Sequence, residues 1–329
     1  MLTNLLYPFI RLIRIQTANK YACFSTLIVV LFGLILTSGP YGTAAAASSS
    51  SSSTMMDTQL LGNQSNTGDG IAKRVILNFD DISADQIRSV KPILDKYGFK
   101  GTFFPVCGWI TSQAGWDQVN ALVAAGMDVQ SHTMTHPNLN SLSQEQLDNE
   151  IGQSKQCLLN HGINATIFAY SYGAGSHNST VVNTVAKYYD LARSATYCCS
   201  DYENKFNDRY SINSWVPVHI TGSFNYSSQS CTGECQSYNN QELFGMFKTV
   251  VNDQSTNIGI DKVEGIPIIV YHGFVSYDNI QENRNPTDTS ITLFDKEMKY
   301  LHDEGFQVLL MRDLQYDQKS NSIYITSSG

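Results

Sequence analysis

The sequence is poor in charge, and in positive charge most of all. Only 15% of its 329 residues are charged, and 21 lysines and arginines stand against 29 aspartates and glutamates, for a net charge of −8. A chain this acidic is repelled by a phosphate backbone, so we expect no nucleic acid among its partners. A neutral or cationic polymer remains compatible with the charge. The hydrophobic fraction of 42% is sufficient for a core.

The N-terminal apolar run is short for a membrane span. Ala22 to Leu36 follows three basic residues and precedes a run of small residues that ends at Ala47. This order of basic, apolar and small residues is typical of a secretory signal. We therefore expect residues 1–47 to be a signal peptide, with an uncleaved membrane anchor as the alternative. Both interpretations place the chain outside the cytoplasm, either secreted or on the extracellular face of the membrane.

The sequence also lacks a second pair of cysteines or histidines that would complete a zinc site with Cys231 and Cys235. Removal of Cys23 with the leader leaves six cysteines, an even number that permits disulfides in an exported chain. The Cys231-x-x-x-Cys235 spacing therefore favours a local disulfide. The overall pairing stays open.

Composition divides the rest of the chain into three parts. A serine tract and further polar residues predict a flexible linker over 48–72. Strand-like and helix-like segments alternate over 73–317, interrupted by an irregular insertion at about 197–240 that is rich in Ser, Tyr, Asn and Cys. Residues 318–329 are expected to be a C-terminal tail. The alternation predicts parallel βαβ units, and hence an α/β barrel or doubly wound sheet.

The predicted elements follow from hydrophobic runs and capping residues. Strands are expected near residues 75–79, 102–106, 127–130, 166–170, 190–193, 267–271 and 306–310. Helices are expected near residues 83–97, 116–125, 143–162 and 293–302.

Two adjacent carboxylates end the first predicted strand. The apolar run from Val75 to Phe79 leads into Asp80 and Asp81, and Ser83 is suited to cap the helix that follows. A buried parallel strand thus delivers both carboxylates to the face where α/β enzymes carry out their chemistry. The alternative interpretation is that Asp81 only helps to cap this helix.

Two histidines end another strand of the same array. His132 and His136 are four residues apart, a spacing that lets both rings reach one ion. Together with one carboxylate they would hold a divalent metal, preferably zinc, and leave positions open for water and substrate. His272 follows a late predicted strand and is expected at the same face.

These motifs resemble the polysaccharide deacetylase family, the NodB-homology domain of carbohydrate esterase family four, over about Lys73 to Tyr316. The family's T-F-D-D-G motif appears as Asn78–Ile82, and its H-S/T-x-x-H motif appears as His132–His136. Its R-x-P-Y/F-G motif corresponds to Ala169–Gly173, where alanine replaces the arginine. Its L-x-H motif corresponds to Val270–His272.

The resemblance implies a distorted (β/α) barrel in a single catalytic domain. It also implies metal-dependent removal of acetyl groups from an acetylated carbohydrate polymer of the N-acetylglucosamine type. Asp80 would be the general base and His272 the general acid. The metal would be held by Asp81, His132 and His136.

The resemblance suggests roles for further residues. The backbone N–H of Tyr172 would help to bind the oxyanion. Arg193, in a weak fourth motif, would orient the base in place of the missing arginine. Among the aromatic residues that could stack on sugar rings, Trp109 and Tyr172 are preferred over Trp116 and Trp215.

Two other functions remain open. The first is a catalytically silent carbohydrate-binding envelope protein on the same fold, although it would not need a base beside the metal. The second is a hydrolase of another non-peptide C–N bond, such as a small cyclic amide, although such substrates are internal to the cell. We expect a monomer that meets the membrane only through an uncleaved N-terminal segment.

Overall fold

The computed structural model describes the chain in segments that comprise residues 72–172, 177–197, 202–206, 208–225, 230–255, 262–276 and 285–326. The expected signal segment 1–47 lies outside them, as does the serine-rich linker up to residue 71. Within these segments, no helix combines the length and apolarity that a bilayer crossing requires.

The elements alternate along the chain. The strands are β1 Arg74–Asp80, β2 Thr102–Phe104, β3 Asp128–Val129, β4 Ile167–Ala169, β5 Leu191–Arg193, β6 Thr196–Tyr197, β7 Trp215–Val216, β8 Ile220–Asn225, β9 Ser230–Ser237, β10 Ile268–Tyr271, β11 Phe274–Val275, β12 Thr289–Ser290, β13 Gln307–Leu309, β14 Leu314–Asp317 and β15 Ser322–Ile325. The α-helices are α1 Ala84–Tyr97, α2 Gln113–Ala124, α3 Gln144–Leu147, α4 Gln153–Asn160, α5 Ser179–Val185, α6 Asn240–Asn252 and α7 Ile291–Asp303. A π-helical turn, Asp148–Gly152, joins α3 to α4.

Local sequence explains where the helices begin and end. The Ser83 side chain accepts a hydrogen bond from the N–H of Gln86, and the Gln86 side chain accepts one from the N–H of Ser83. The same reciprocal box joins Ser143 and Gln146 at the start of α3. α1 ends at Gly98, whose φ of +71° costs a glycine little. These three predicted helix boundaries are confirmed.

Parallel pairing closes the strands into a ring. β1 pairs with β2 and β10, β2 with β3, β4 with β5, β6 with β7, and β7 with β10. A parallel bridge from Ser131 to Phe168 joins β3 to β4, and a bridge from Arg193 to Ile212 joins β5 to the segment before β7. β13 also pairs with β1, beside β2, which makes the ring irregular. The expected distorted (β/α) barrel is confirmed.

Alternate residues of the barrel strands face opposite sides. On β1, Val75, Leu77 and Phe79 pack outward with the helices, whereas Ile76 packs with the barrel interior. Apolar side chains fill the end of the barrel where the strands begin: Ile76, Ile167, Leu191, Ile268. Buried polar side chains lie where the strands end: Asp80, His132, Arg193. Asp80, His132 and Arg193 are therefore brought together at the carboxyl end of the barrel.

Residues 318–326, which are the described part of the expected tail 318–329, belong to the folded domain. β15 pairs antiparallel with β14, and Ile323 forms a further bridge to Val263. Leu314, Ile323 and Ile325 are buried in the same apolar cluster as the first residues of the barrel strands. The hairpin thus covers the amino end of the barrel, and the folded domain continues to Thr326.

The predicted insertion over 197–240 also needs correction. β7 lies within it and is a barrel strand between β6 and β10, with Trp215 buried. β8 and β9 form an antiparallel hairpin. A two-residue strand carries no measurable hydrophobic period, so sequence pattern could not reveal β7.

A disulfide joins Cys107 to Cys157 across a sequence separation of 50 residues. In the chain-entropy description, closing a loop of this length stabilises the fold by about 4 kcal/mol. The bond fastens the 3₁₀ turn Cys107–Trp109 to α4. Cys198 and Cys199 lie outside the described residues, and the local disulfide within β9 stays a prediction.

The packing of α7 on β10 makes stability depend on pH through Glu297. This carboxyl is fully buried and accepts a hydrogen bond of 2.8 Å from Tyr271 Oη. Burial raises the pKa of Glu297 to about 8, against smaller opposing effects of Tyr271 and Lys296. The folded protein therefore keeps a proton that the unfolded chain loses above its ordinary value of 4.5. The contribution of Glu297 to the free energy of unfolding is therefore complete below pH 4.5, and it is lost as the pH rises to about 8.

We expect Glu297→Gln to flatten this dependence, because the amide cannot ionise. In the wild type, the free energy of unfolding should fall between pH 5 and 8, with a Glu297 contribution of up to ~1.4 kcal/mol per pH unit. Denaturant titrations at several pH values would measure the slope, with the exposed Glu145→Gln as a control. Equal slopes for the wild type and Glu297→Gln would contradict the prediction.

Candidate active site

The carboxyl ends of β1, β3 and β10 bring five predicted site residues to one face of the barrel. Asp80 is the last residue of β1, and Asp81 follows it. His132 lies just beyond β3, and His136 lies at the end of the next loop. His272 directly follows β10.

Asp81, His132 and His136 are arranged as a set of metal ligands. Asp81 Oδ1 lies 3.5 Å from His132 Nε2 and 3.6 Å from His136 Nε2. Ligand atoms on one tetrahedral zinc, with bonds of about 2.0–2.2 Å, lie roughly 3.4 Å apart. Asp81 Oδ1 is also enclosed without a hydrogen-bond partner in the described part of the chain. The donor set therefore fits a divalent metal such as zinc.

His132 and His136 are suited to metal binding for different reasons. His132 is buried, and its Nδ1 lies 2.9 Å from the carbonyl oxygen of Ala169, which leaves Nε2 directed at Asp81. Burial and the neighbouring His132 lower the pKa of His136 to about 4, although Asp81 and Asp80 act in the opposite direction. His136 is therefore neutral at physiological pH, the form that binds metals.

Strained backbone surrounds the ligand set. Asp81, Thr133, His136 and Tyr172 all lie in the left-handed region, with φ between +61° and +69°. Within the described residues, Asn321 is the only other non-glycine residue in that region. Such a conformation costs of order 1–3 kcal/mol per residue, so surrounding contacts must hold each of them. Nothing in the sequence indicated this clustering.

Asp80 and Arg193 form a buried ion pair inside the barrel. Arg193 Nη2 donates to both carboxylate oxygens of Asp80, at 2.6 and 2.7 Å, and both side chains are almost fully enclosed. Burial alone would raise the pKa of Asp80, but Arg193, His132 and His272 outweigh it and lower the pKa. Asp80 is consequently held as a carboxylate in spite of its burial.

The guanidinium of Arg193 is itself fixed by its surroundings. Nη1 donates to Ser214 Oγ at 3.3 Å, and the group lies 4.8 Å from the centre of the Phe104 ring. In the amide orientation that satisfies its neighbours, Asn78 accepts from Nε at 3.3 Å. Arg193 is the direct register partner of Ala169 on the adjacent strand. The arginine therefore enters the barrel one strand away from the position where the motif lacks it.

His272 is half-buried beside the two aspartates. Burial lowers the pKa of His272, although Asp80 and Asp81 favour the protonated ring. Its Nδ1 is enclosed and has no hydrogen-bond partner among the described residues. Gln86, on α1, donates to the His272 carbonyl oxygen at 2.6 Å and so ties the end of β10 to the helix that follows Asp81.

The four candidate aromatic residues divide by exposure. Trp109 is 51% exposed and Tyr172 is 56% exposed, whereas Trp116 and Trp215 are buried in the core. The Trp109 and Tyr172 rings lie 5.7 and 5.0 Å from the ring of His136, measured between centroids. The Tyr172 N–H has no hydrogen-bond partner within the described segments. The structure thus separates two open aromatic residues at the site from two core residues.

Sequence reasoning missed Glu150. Its carboxylate accepts hydrogen bonds from the backbone between His132 and His136. Glu150 lies in the helix predicted over residues 143–162, and no motif or spacing in the sequence links it to the two histidines.

Comparison with known proteins agrees with the motif interpretation. The polysaccharide deacetylase family profile matches residues 67–191. The Bacillus subtilis (strain 168) protein YxkH, a polysaccharide deacetylase by name, is 29% identical over 117 residues, which are 35% of this chain and 42% of YxkH. A bifunctional xylanase/deacetylase of Pseudobutyrivibrio xylanivorans is 26% identical over 161 residues, 47% of this chain and 26% of the relative. The chain therefore spans less than half the length of either relative.

Among solved structures, one with a similar backbone is the Xyl-CE4 domain of a multidomain xylanase from the hindgut metagenome of Trinervitermes trinervoides. It has a TM-score of 0.47 and 18% identity, over 73% of this chain and 88% of that one. The family match ends before Arg193 and His272 but contains both aspartates and both loop histidines. The resemblance is confirmed, and residues 67–191 carry the sequence pattern of the polysaccharide deacetylase family.

Proposed function

We propose that the protein is a metal-dependent deacetylase of an acetylated carbohydrate polymer, with units of the N-acetylglucosamine type. The observation that carries this proposal is the buried ion pair of Asp80 with Arg193, directly beside the Asp81, His132 and His136 set. A general base next to a trio of metal ligands is the arrangement that hydrolysis of an acetyl group requires.

Asp81, His132 and His136 would hold the metal. When bound, a divalent metal polarises the acetyl carbonyl and makes a water acidic enough to ionise near neutral pH. Asp80 accepts the proton of the attacking water, because Arg193 keeps it ionised at the working pH.

Two further groups would complete the reaction. His272 would donate a proton to the departing amine nitrogen or alcohol oxygen from its protonated form, which Asp80 and Asp81 favour against the effect of burial on its pKa. The N–H of Tyr172, which has no hydrogen-bond partner among the described residues, donates to the oxygen that becomes negative. Such preorganised donors supply several kcal/mol.

Trp109 and Tyr172 would form the sugar-binding surface. Both rings are exposed and lie close to the ring of His136, and an open aromatic surface suits a polymer better than an enclosed pocket would. The site of action would lie outside the cytoplasm, because residues 1–47 carry the pattern of an export signal. Contact with a membrane would occur only through that segment, and the domain would act as a monomer.

The proposal is tested by acetate release from a panel of acetylated glycans, with metal-free and zinc-supplemented protein. We expect release from at least one polymer, loss of it on chelation and recovery with zinc. Binding to a polymer without acetate release would instead identify a silent carbohydrate-binding protein. Release from a small cyclic amide alone would favour the other class of C–N hydrolase.

A further inference from the structure

We propose that Glu150 is a positioning residue that holds the backbone between the two histidine ligands. The inference rests on the metal site in the proposed function. The loop residues Thr133, Met134 and Thr135 separate His132 from His136. Because His132 is fixed by burial and by Ala169, the position of His136 depends on the conformation of this loop.

The loop is strained at both ends. Thr133 has a φ of +69° and His136 has one of +61°. Left-handed backbone is particularly unfavourable for a β-branched residue such as Thr133. One local bond helps, since the His136 N–H donates to Thr133 Oγ1 at 2.9 Å. A single neutral hydrogen bond contributes about 1 kcal/mol, which is less than two such conformations cost. Other contacts must therefore hold the loop.

Glu150 supplies them on one side. Its Oε2 accepts from the N–H groups of Met134 and Thr135 at 3.0 and 2.8 Å. Its Oε1 accepts from Thr135 Oγ1 at 2.6 Å. Three donors thus bond to the two oxygens of one side chain. A carboxylate suits them because both of its oxygens accept hydrogen bonds. Bonds to a charged acceptor are roughly twice as strong as neutral ones.

The opposite side of the loop packs on the disulfide-bound turn. The N–H groups of Cys107 and Gly108 donate to the carbonyl oxygens of Thr133 and Met134 at 3.2 and 2.9 Å. A side chain at Gly108 would place its Cβ 2.5 Å from the Met134 oxygen, so only glycine permits this approach. The loop is thus held by hydrogen bonds from two elements. The 3₁₀ turn Cys107–Trp109 contributes backbone N–H groups, and the π-turn contributes the side chain of Glu150.

The position of Glu150 in its helix supports a dedicated role. It lies in the π-helical turn Asp148–Gly152, where one additional residue is accommodated within an otherwise continuous helix. The next residue, Ile151, is fully buried in the core. π-turns occur frequently at functional sites, where they redirect a side chain. Here the π-turn carries the carboxylate that accepts hydrogen bonds from the loop between His132 and His136.

Zinc affinity of the metal-free protein tests the role without relying on turnover. Glu150→Ala should raise the zinc Kd by ~10–100-fold, the usual effect of losing a group that supports metal ligands. Glu150→Gln can still accept both backbone bonds and donate to Thr135, so its Kd should change by less than about tenfold. Glu145→Ala, an exposed acid on α3, is the matched control and should bind zinc as the wild type does. Competition with a fluorescent chelator would give each Kd.

Amide hydrogen exchange in the metal-free proteins provides the second readout. Exchange at Met134 and Thr135 should be faster in Glu150→Ala than in Glu145→Ala, because only the first loses the acceptor of both amides. Unchanged exchange, or equal zinc Kd values in the two alanine variants, would overturn the inference. If the wild type binds zinc in a Glu150-dependent manner but deacetylates no polymer, the inference is upheld and the proposed function fails.

Discussion

Asp80→Asn is expected to lower kcat for acetate release by ~10²–10⁴-fold, the usual contribution of a general base. Asparagine keeps the shape of the side chain and can still accept a hydrogen bond from Arg193, but it cannot take a proton from water. The variant should retain near-stoichiometric zinc, because Asp80 is not one of the three converging ligands. Bound metal and acetate release are to be measured on the same preparation.

The adjacent carboxylate should behave in the opposite manner. Asp81 Oδ1 is the atom directed at both histidine Nε2 atoms. Asp81→Ala and His132→Ala should therefore lose zinc affinity first and activity as a consequence. Added zinc should restore part of the activity of these variants, and it should not restore Asp80→Asn.

Asp128→Asn provides the control for Asp80. Asp128 is another buried carboxylate of the barrel, bonded to Thr102, Gln130 and the N–H of Arg312, and it belongs to no part of the proposed site. We expect it to affect stability more than kcat. If Asp80→Asn loses metal while Asp81→Ala retains it, the two roles are reversed. If neither change alters metal binding or turnover, the strand-end pair is only a helix cap.

The site could be predicted to the extent that its determinants are local in sequence. A run of apolar residues that ends in Asp80 and Asp81 and precedes a capping box specifies a strand, a turn and a helix within ten or so residues. The spacing of His132 and His136 is equally local. Parallel strands then place their ends on one face as a consequence of topology. These residues therefore meet where the sequence suggested.

The features that escaped prediction depend on distant parts of the chain. β7 is a strand because β6 and β10 flank it, and its two residues have no period of their own. β15 lies in the expected tail, and the apolar cluster that it joins is built largely from other strands. Glu150 reaches the histidine loop through a π-turn, which side-chain patterning does not reveal.

Arg193 was predictable from the sequence in its identity but not in its contacts. The absence of an arginine at Ala169 was evident from the motif, and Arg193 was the candidate replacement. Its placement follows from the register of β4 with β5, in which Ala169 and Arg193 lie opposite each other. The sequence could name the residue, but only pairing between strands could show that its guanidinium reaches Asp80.

Removing this guanidinium should have the largest combined effect on stability and activity. Arg193→Ala leaves Asp80 buried without its positive partner, a change that costs about 3–5 kcal/mol in comparable buried pairs. The pKa of Asp80 would then rise, because burial is no longer offset by Arg193. A larger fraction of the base would then be protonated at any given pH, and kcat would fall by up to the ~10²–10⁴-fold of a lost general base. The acidic limb of the pH–rate profile should move to higher pH.

Two further variants keep this prediction decisive if Arg193→Ala folds poorly. Arg193→Lys retains a positive charge without the fixed guanidinium, and it should show a smaller fall in kcat and a smaller shift of the acidic limb. Arg209→Ala removes an arginine that stacks on Tyr210 and Tyr316, and it should leave kcat and the pH profile unchanged. In an Asp80→Asn background, Arg193→Lys should lower kcat no further, because the Asp80 carboxylate through which Arg193 acts is already absent. An independent, multiplicative loss in that double variant would show that Arg193 does not act through Asp80.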